Sequence, residues 1–149
     1  MARFALANLQ LLEGDWLAGW QNYEFRWQGG QQAGRRAPRP ALPWPQWQGQ
    51  AVPPGQSLLV FHEQGFGDTL QFMRYLPALS AVFARVSFIC QAPLLRLARA
   101  NLPAEITLLA SEAAADIATR ETFDWQLPLL SLPLALQLVP GPAPETPPP

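Results

Sequence analysis

Lysine is absent from this 149-residue sequence, and cysteine occurs once, as Cys90. A single thiol excludes an internal disulfide and a zinc site built on cysteines, so Cys90 is expected to be a buried core residue. Without lysine the chain cannot form the G-x-x-x-x-G-K-[ST] loop that cradles nucleotide phosphates. The sequence also lacks a D-x-D pair of the kind that binds a divalent ion, and we expect neither a metal nor a cofactor.

Strong charge and long apolar runs are lacking as well. The formal net charge is −1, which gives no electrostatic reason to expect nucleic acid or an anionic membrane as a partner. No apolar run approaches the roughly 20 residues that a membrane-spanning helix needs, and the amino terminus lacks the pattern of a signal peptide. We therefore expect a cytoplasmic protein. Apolar residues make up 49% of the chain, which is enough for a core.

Proline divides the chain into segments. Of its 17 prolines, six lie in the range 38–54 and six in the range 140–149. Because proline fixes φ and favours extended structure, the first range is predicted to run extended along a surface, with Trp44 and Trp47 anchoring it. The segments are a helical hairpin over 1–28, a Pro-rich connector over 29–56, an α/β body over 57–139 and a Pro-rich tail over 140–149.

The first segment is predicted to be a pair of helices. Residues 2–12 are rich in Ala and Leu, Gly14 interrupts them, and Asp15 is positioned to cap a second helix. In that helix four aromatic residues share one face: Trp16, Trp20, Tyr23 and Trp27. So much apolar area cannot stay exposed on two helices. We expect this stripe to pack on the body or on a preceding helical repeat.

The body alternates between short apolar runs and helical patterns. The predicted strands are 57–62, 85–90, 105–110 and 123–128. The predicted helices are 69–83, 92–100 and 131–138, the first with Leu70, Met73, Leu76 and Leu79 facing inward. Strands joined by helix-length crossovers pair in parallel. The predicted fold class is therefore α/β, with a Rossmann-like parallel sheet in which the first two strands are neighbours.

The stretch FHEQGFGDTLQFMRYLP joins the first strand to the first helix of the body. Ligands of open parallel sheets settle beyond the carboxyl ends of the strands, where Gly65 and Gly67 would let the backbone turn tightly and approach a ligand. Asp68 has two interpretations. It can be the N-cap of the helix, or a general base toward a hydroxyl, with its pKa tuned by His62 or Glu63. The two roles are compatible with each other.

A dinucleotide site is the obvious rival at such a junction, and the sequence argues against it. The fingerprint requires G-x-G-x-x-G, but Leu70 stands where the third glycine belongs. The second strand ends at Gln91 rather than at the acid that would bind a ribose. We therefore expect no bound NAD.

Four motifs follow one another along the chain: EGDWLAGWQNYEFRW (13–27), WPQWQGQ (44–50), EQGFGDTLQFMRYLP (63–77) and FDWQLPLLSLPLAL (123–136). The set resembles bacterial proteins in which tetratricopeptide repeats precede a two-lobed, GT-B glycosyltransferase-like domain similar to the lipopolysaccharide heptosyltransferases. By this resemblance the hairpin is the last repeat of an array, and the body is the amino-terminal lobe of the GT-B fold.

The resemblance also implies roles for residues of the third motif. In the heptosyltransferases, the aspartate of a Gly-Asp pair after the first strand is the proposed catalytic base, and Asp68 matches it. Four further residues are expected on the acceptor side of the cleft: Gln64, Gln71, Arg74 and Tyr75. Together with the junction, the expected substrate-binding residues are His62, Glu63, Gln64, Gly65, Gly67, Gln71, Arg74 and Tyr75.

The same resemblance places the nucleotide-sugar donor on a carboxyl-terminal lobe. The sequence stops at PAPETPPP before such a lobe, so it is interpreted as an excised piece of a longer protein or as a natural truncation. The function expected of the parent is transfer of a sugar from a nucleotide sugar to a hydroxyl acceptor, and the chain alone is expected to be inactive. The alternative is a non-catalytic scaffold that binds a protein partner or acceptor through the hairpin.

Overall fold

The computed structural model describes residues 2–27, 39–110, 117–118 and 120–138. The predicted Pro-rich tail and the first part of the predicted connector lie outside these residues. Across the described ranges no helix combines the length and the apolar character that crossing a bilayer requires.

The first segment folds as the predicted hairpin. Helix α1 spans Ala2–Glu13, helix α2 spans Trp16–Tyr23, and a 3-10 helix, Glu24–Trp27, continues α2. Gly14 turns the chain between them with a left-handed φ of 87°. The Asp15 carboxylate accepts a hydrogen bond from the N–H of Ala18 at 3.4 Å, so the predicted cap of α2 is confirmed.

The body contains a four-stranded sheet in which all strands run parallel. The strands are β1 Ser57–Phe61, β2 Arg85–Cys90, β3 Ile106–Ala110 and β4 Trp125–Pro128, in the order β3-β2-β1-β4. The predicted parallel pairing of the first two strands is confirmed. Cys90 is buried as predicted, and burial raises the pKa of its thiol. The chain has a Rossmann-like α/β fold.

Strand β1 is buried on both faces of the sheet, which explains why its sequence is a continuous apolar run rather than an alternating one. Leu58 and Val60 belong to the larger core, which includes the helices between β1 and β2. Leu59 and Phe61 pack in a second core on the other face, together with Trp44 from the connector. The sheet therefore lies between two apolar layers.

The first helix of the body differs from the prediction. Helix α3 spans Phe66–Phe72 and continues as a 3-10 helix, Met73–Ala81. Three predicted inward residues are buried, namely Met73, Leu76 and Leu79. The prediction for Leu70 is wrong, since it is 39% exposed. Thr69 and Phe72 face inward in α3, whereas the inward series of the 3-10 helix begins at Met73. The buried face therefore shifts by one position where the α-helix gives way to a 3-10 helix with three residues per turn.

The later helices are shorter than predicted. Helix α4 spans Leu95–Asn101 after a 3-10 turn, Ala92–Leu94, and helix α5 spans Leu132–Ala135 after a 3-10 turn, Leu129–Ser131. Pro93 and Pro133 each lie in the first turn of their segment, where a missing N–H costs nothing.

The connector is fastened to the sheet. Trp44 and Trp47 are 9% and 3% exposed, so their predicted anchoring role is confirmed. Between them Gln46 forms a parallel bridge with Gln126 of β4. The N–H of Trp47 donates to the Gln126 carbonyl and the N–H of Gln126 donates to the Pro45 carbonyl, both at 2.9 Å.

The hairpin packs on the body through its aromatic stripe. Trp20 and Tyr23 are partly buried against the larger core, and the Trp20 ring meets Phe72 of α3 edge to face at 5.8 Å. Trp27 lies beyond α2, with the Arg26 guanidinium 5.1 Å from its ring centre. Of the two expected neighbours of the stripe, the body is the one that Trp20 contacts.

Candidate functional site

The loop after β1 leads directly into α3. β1 ends at Phe61, and the N–H of His62 donates to the Ile89 carbonyl of β2 at 3.1 Å. Gly65 is the N-cap residue of α3 and makes no side-chain hydrogen bond. Asp68 lies in the first turn of the helix rather than before it, so its predicted role as the N-cap is wrong. Helix α3 starts at Phe66, before the apolar pattern from which the start at residue 69 was predicted.

The two glycines of this loop do not make the predicted tight turn. Gly65 has a φ of −67° and Gly67 is helical, so neither has the left-handed backbone that favours glycine. A Cβ at Gly67 would have no neighbour within 4 Å, and a Cβ at Gly65 would lie 3.7 Å from Oδ2 of Asp68. The glycines therefore leave open space around the start of α3 and beside the Asp68 carboxylate.

The Asp68 carboxylate is partly buried and has no fixed partner. No hydrogen bond or ion pair reaches it from the residues that the structure describes. Its charge is felt at Tyr23, the last residue of α2, whose pKa is raised by burial first and then by the charges of Glu63 and Asp68. The hairpin and the start of α3 are therefore close enough for their side-chain charges to interact.

Glu63 is expected to bind substrate, but the structure places it in an ion pair with the hairpin. Its Oε1 accepts from Nε of Arg26 at 2.6 Å, and its Oε2 accepts from Nη2 at 2.9 Å. The two side chains are 1% and 2% exposed. Burial raises the pKa of Glu63, and Arg26 opposes that effect. Arg26 keeps its positive charge, because an arginine does not lose its proton in proteins.

Arg26 joins four parts of the chain. Besides Glu63, its guanidinium donates to Oε1 of Glu24 at 2.8 Å, to Oγ of Ser131 at 2.8 Å and to the Tyr23 carbonyl at 3.3 Å. Burial acts to lower the pKa of Arg26, but the hydrogen bond and charge of Glu63 outweigh it, and the pKa is raised. Glu24 also accepts from the Gln46 amide of the connector at 3.2 Å. Hairpin, β1 loop and the turn before α5 therefore meet at one guanidinium, and Glu24 links the connector to it.

His62 is half-buried at the end of β1. Burial lowers the pKa of its imidazole, so the ring is neutral at physiological pH. Its Nδ1 is enclosed and has no hydrogen-bond partner within the described part of the chain. His62 therefore contributes an uncharged ring to the start of the loop, rather than a cation that would attract an acidic ligand.

Gln64 and Gln91 hold the loop against the neighbouring strand. The Gln64 amide donates to the Tyr23 hydroxyl at 3.3 Å, and the Gln91 amide donates to the Gln64 carbonyl at 3.0 Å. The Oε1 of Gln91 accepts from the Thr69 hydroxyl at 3.0 Å. Gln91, which stands where a dinucleotide site would have an acid, instead ties β2 to the loop and to α3.

The remaining predicted residues line a groove between the hairpin and α3. This groove, of about 380 Å³, is lined by Trp16, Trp20, Gln71, Phe72, Arg74, Tyr75, Pro133 and Leu138. Nη2 of Arg74 donates to the Tyr75 hydroxyl at 2.7 Å. Gln71 lies one turn after Asp68 on α3, so the groove continues along the helix from the loop.

The predicted residues thus fall into two groups, with Glu63 apart in its ion pair. The loop group comprises His62, Gln64, Gly65, Gly67 and Asp68. The groove group comprises Gln71, Arg74 and Tyr75. Sequence reasoning missed Arg26 and the second role of Tyr23 as a partner of Gln64. An arginine between Phe25 and Trp27 is itself a signal of a buried cation, although the signal does not name its partner.

No group of three His, Cys, Asp or Glu side chains is arranged to hold a metal ion among the residues placed by the structure.

The chain was compared with protein families, curated proteins and solved structures. No family model matches the chain, and no solved structure matches it. The chain is similar to Protein FlbA from Caulobacter vibrioides, with 35% identity over 98 residues. The aligned part is 66% of this chain but 16% of FlbA, so the chain spans only a small part of that protein's length.

Proposed function

We propose that this chain is the acceptor-side lobe of a sugar-transferring enzyme of the GT-B kind, in which Asp68 is the general base. The observation that carries the proposal is the contrast between the two acids after β1. Both oxygens of Glu63 are held by Arg26, whereas the Asp68 carboxylate has no such partner among the described residues. A free carboxylate beside open space is a group that can accept a proton.

In the proposed reaction an acceptor hydroxyl lies against the Asp68 carboxylate. Its oxygen forms a bond to the anomeric carbon of the donor sugar while its proton passes to Asp68. The bond between that carbon and the nucleotide diphosphate breaks, and the diphosphate leaves with the electron pair. A positioned general base typically contributes about 10²–10⁴-fold to such a step.

Asp68 is better placed for this role than the two titratable residues at the start of the loop. Burial lowers the pKa of His62, which makes it a weaker base, and its Nδ1 is enclosed, while Glu63 is bound by Arg26. The proposal assigns the acceptor to the groove of Gln71, Arg74 and Tyr75, and the nucleotide-sugar donor to a second lobe. A likeness to 16% of Protein FlbA fits a lobe that works within a longer protein.

The test is Asp68→Asn in the full-length gene product, assayed with a panel of radiolabelled nucleotide sugars and an extract of a deletion strain as the acceptor source. We expect transfer to fall by about 10²–10⁴-fold with little change in the melting curve, since the new amide occupies the same space. Glu105→Gln is the matched control, an exposed acid at the amino end of the edge strand β3, whereas Asp68 follows the carboxyl end of β1. Near-normal transfer by Asp68→Asn overturns the assignment.

A non-catalytic protein-binding module is the second candidate, and the outer face of the hairpin favours it. Three leucines of α1 there are 45–85% exposed, namely Leu6, Leu9 and Leu12. Exposed apolar patches mark interaction surfaces. This function predicts that Leu12→Ser abolishes capture of a protein partner while Asp68→Asn leaves it intact, and that no nucleotide sugar is consumed.

A further inference from the structure

A second cavity lies beside the face of α2 that carries Leu17 and Gln21, next to the aromatic stripe. It has a volume of about 460 Å³ and shares no lining residue with the groove. Its lining residues come from α2, the connector and the region of α5: Leu17, Gln21, Glu24, Gln46, Trp47, Gln48, Ser131, Leu134, Ala135 and Gln137. Its size is within the range of small-molecule sites, and the proposed sugar transfer does not use it.

Free carboxamides distinguish the cavity chemically. Three exposed side chains around it, those of Gln21, Gln48 and Gln137, make no hydrogen bond to any described residue. Each carboxamide offers two donors and one acceptor oxygen. Such a group can bind a pair of neighbouring hydroxyls, since one hydroxyl can accept while the other donates.

The acidic residue of the cavity is already bound to a cation. Glu24 is the one acid among the described lining residues, and its Oε1 accepts from Arg26 at 2.8 Å, a guanidinium that also binds Glu63. Since no arginine or histidine is among the described residues that line the cavity, a phosphate or carboxylate finds no counter-charge in that lining. Leu17 and Leu134 add apolar surface for the C–H face of a ring. The lining therefore matches a neutral molecule that carries both hydroxyls and C–H groups.

The walls of the cavity are held close together by the backbone. Gly49 of the connector has a left-handed φ of 92°, and a Cβ there would lie 2.3 Å from the Ala135 carbonyl oxygen. Gln137 has a left-handed φ of 52°, a backbone that glycine adopts at lower cost at a helix end. A glutamine in that position retains strain, and it supplies one of the free carboxamides.

From these features we infer that the cavity is a binding site for a neutral sugar unit, separate from Asp68. The inference does not depend on the sugar-transfer proposal, since it rests on different residues. The test is titration of the chain with neutral methyl glycosides of glucose, galactose, mannose, rhamnose and N-acetylglucosamine, followed through the side-chain amide signals in ¹H–¹⁵N NMR spectra. We expect at least one glycoside to shift the amides of Gln21, Gln48 and Gln137. Silence of the whole panel, or shifts confined to other residues, overturns the inference.

Two arms test the chemistry of the site. Glucose 6-phosphate and galactose 6-phosphate should bind more weakly than the neutral sugars, because Glu24 is present and no cation lines the cavity. Equal or tighter binding of the phosphates contradicts a neutral site. Gln21→Ala should weaken the binding of the responsive sugar about fivefold, as expected for one lost hydrogen bond, while Asn101→Ala, an exposed amide outside the cavity, should leave it unchanged.

The most discriminating variant is Gln137→Gly. Because glycine accepts a φ of 52° without strain, this change should raise the melting temperature while it weakens sugar binding about fivefold. A merely structural role for Gln137 predicts the first effect without the second. Unchanged affinity in both Gln21→Ala and Gln137→Gly would refute the site.

Discussion

The hairpin and the sheet bury apolar surface in different ways. In β1 every residue is buried, and Leu58, Leu59 and Val60 are 0% exposed. In α1, which is longer, the only buried residue is Ala7, and Leu12 is 85% exposed. The sheet has apolar layers on both faces, whereas the hairpin has the body on one side only.

This difference shows that the two parts depend on different forces. The sheet is stabilised by a core in which many apolar contacts each contribute part of the free energy of folding. The hairpin is attached by a few specific contacts, above all the ion pair of Arg26 with Glu63 and the ring contact of Trp20 with Phe72. A single substitution at the attachment should therefore matter as much as one in the core.

The largest effect is expected at the ion pair. Arg26→Ala leaves Glu63 as an uncompensated buried charge, which should lower the free energy of unfolding by about 3–5 kcal/mol. Urea unfolding measures this loss. The double variant Arg26→Met with Glu63→Leu should recover much of the stability, since paired apolar residues often replace a buried ion pair at little cost. Equal instability of the single and double variants would show that packing of Arg26, rather than its charge, attaches the hairpin.

The next largest loss of stability is expected when a core side chain is shortened. Leu76 is 0% exposed in the larger core, so Leu76→Ala should lower the free energy of unfolding by about 2–5 kcal/mol through lost burial and a new cavity. The same urea experiment measures it. A loss much below this range would mean that the 3-10 helix collapses onto the sheet to fill the space.

A smaller effect is expected from pH at the junction of the two parts. The pKa of His62 is lowered from its usual 6.5 in the folded chain, so below about pH 6.5 the unfolded chain binds a proton that the folded chain does not. The free energy of unfolding should therefore fall as the pH decreases from 6.5 toward the pKa of His62 in the folded chain. At a pH above 6.5 His62 should have no influence on the free energy of unfolding. His62→Gln should flatten this part of the stability profile. Identical profiles for the two proteins would contradict a buried, neutral His62.

The smallest effect is expected on the outer face of the hairpin. Leu12→Ser changes a residue that is 85% exposed, so the free energy of unfolding of the isolated chain should change by no more than about 0.5 kcal/mol. A thermal melt suffices to test this. A larger loss would mean that another molecule or segment covers this face in solution, and the contrast between hairpin and sheet would need revision.

Several elements could be predicted from local patterns. The run SLLVF and the aromatic spacing in the hairpin each depend on neighbours within a few residues, and both the strand and the second helix form where those patterns lie. The buried face of α3 was harder to predict, because the α-helix and the 3-10 helix that continues it place different positions inward. Leu70 fits the series of buried residues in the 3-10 helix, but it lies in the α-helix, where that position is exposed.

For the candidate site, the sequence by itself determined that Asp68 follows the first strand, since a strand–loop–helix order is a local property. Only the tertiary structure decided which acid is free. Glu63 and Arg26 are 37 positions apart, and nothing in either neighbourhood specifies the other. Their pairing arises when the hairpin closes on the sheet, because a buried carboxylate without a counter-charge would be too costly. That closure takes Glu63 out of the expected binding set and leaves Asp68 without a partner among the described residues.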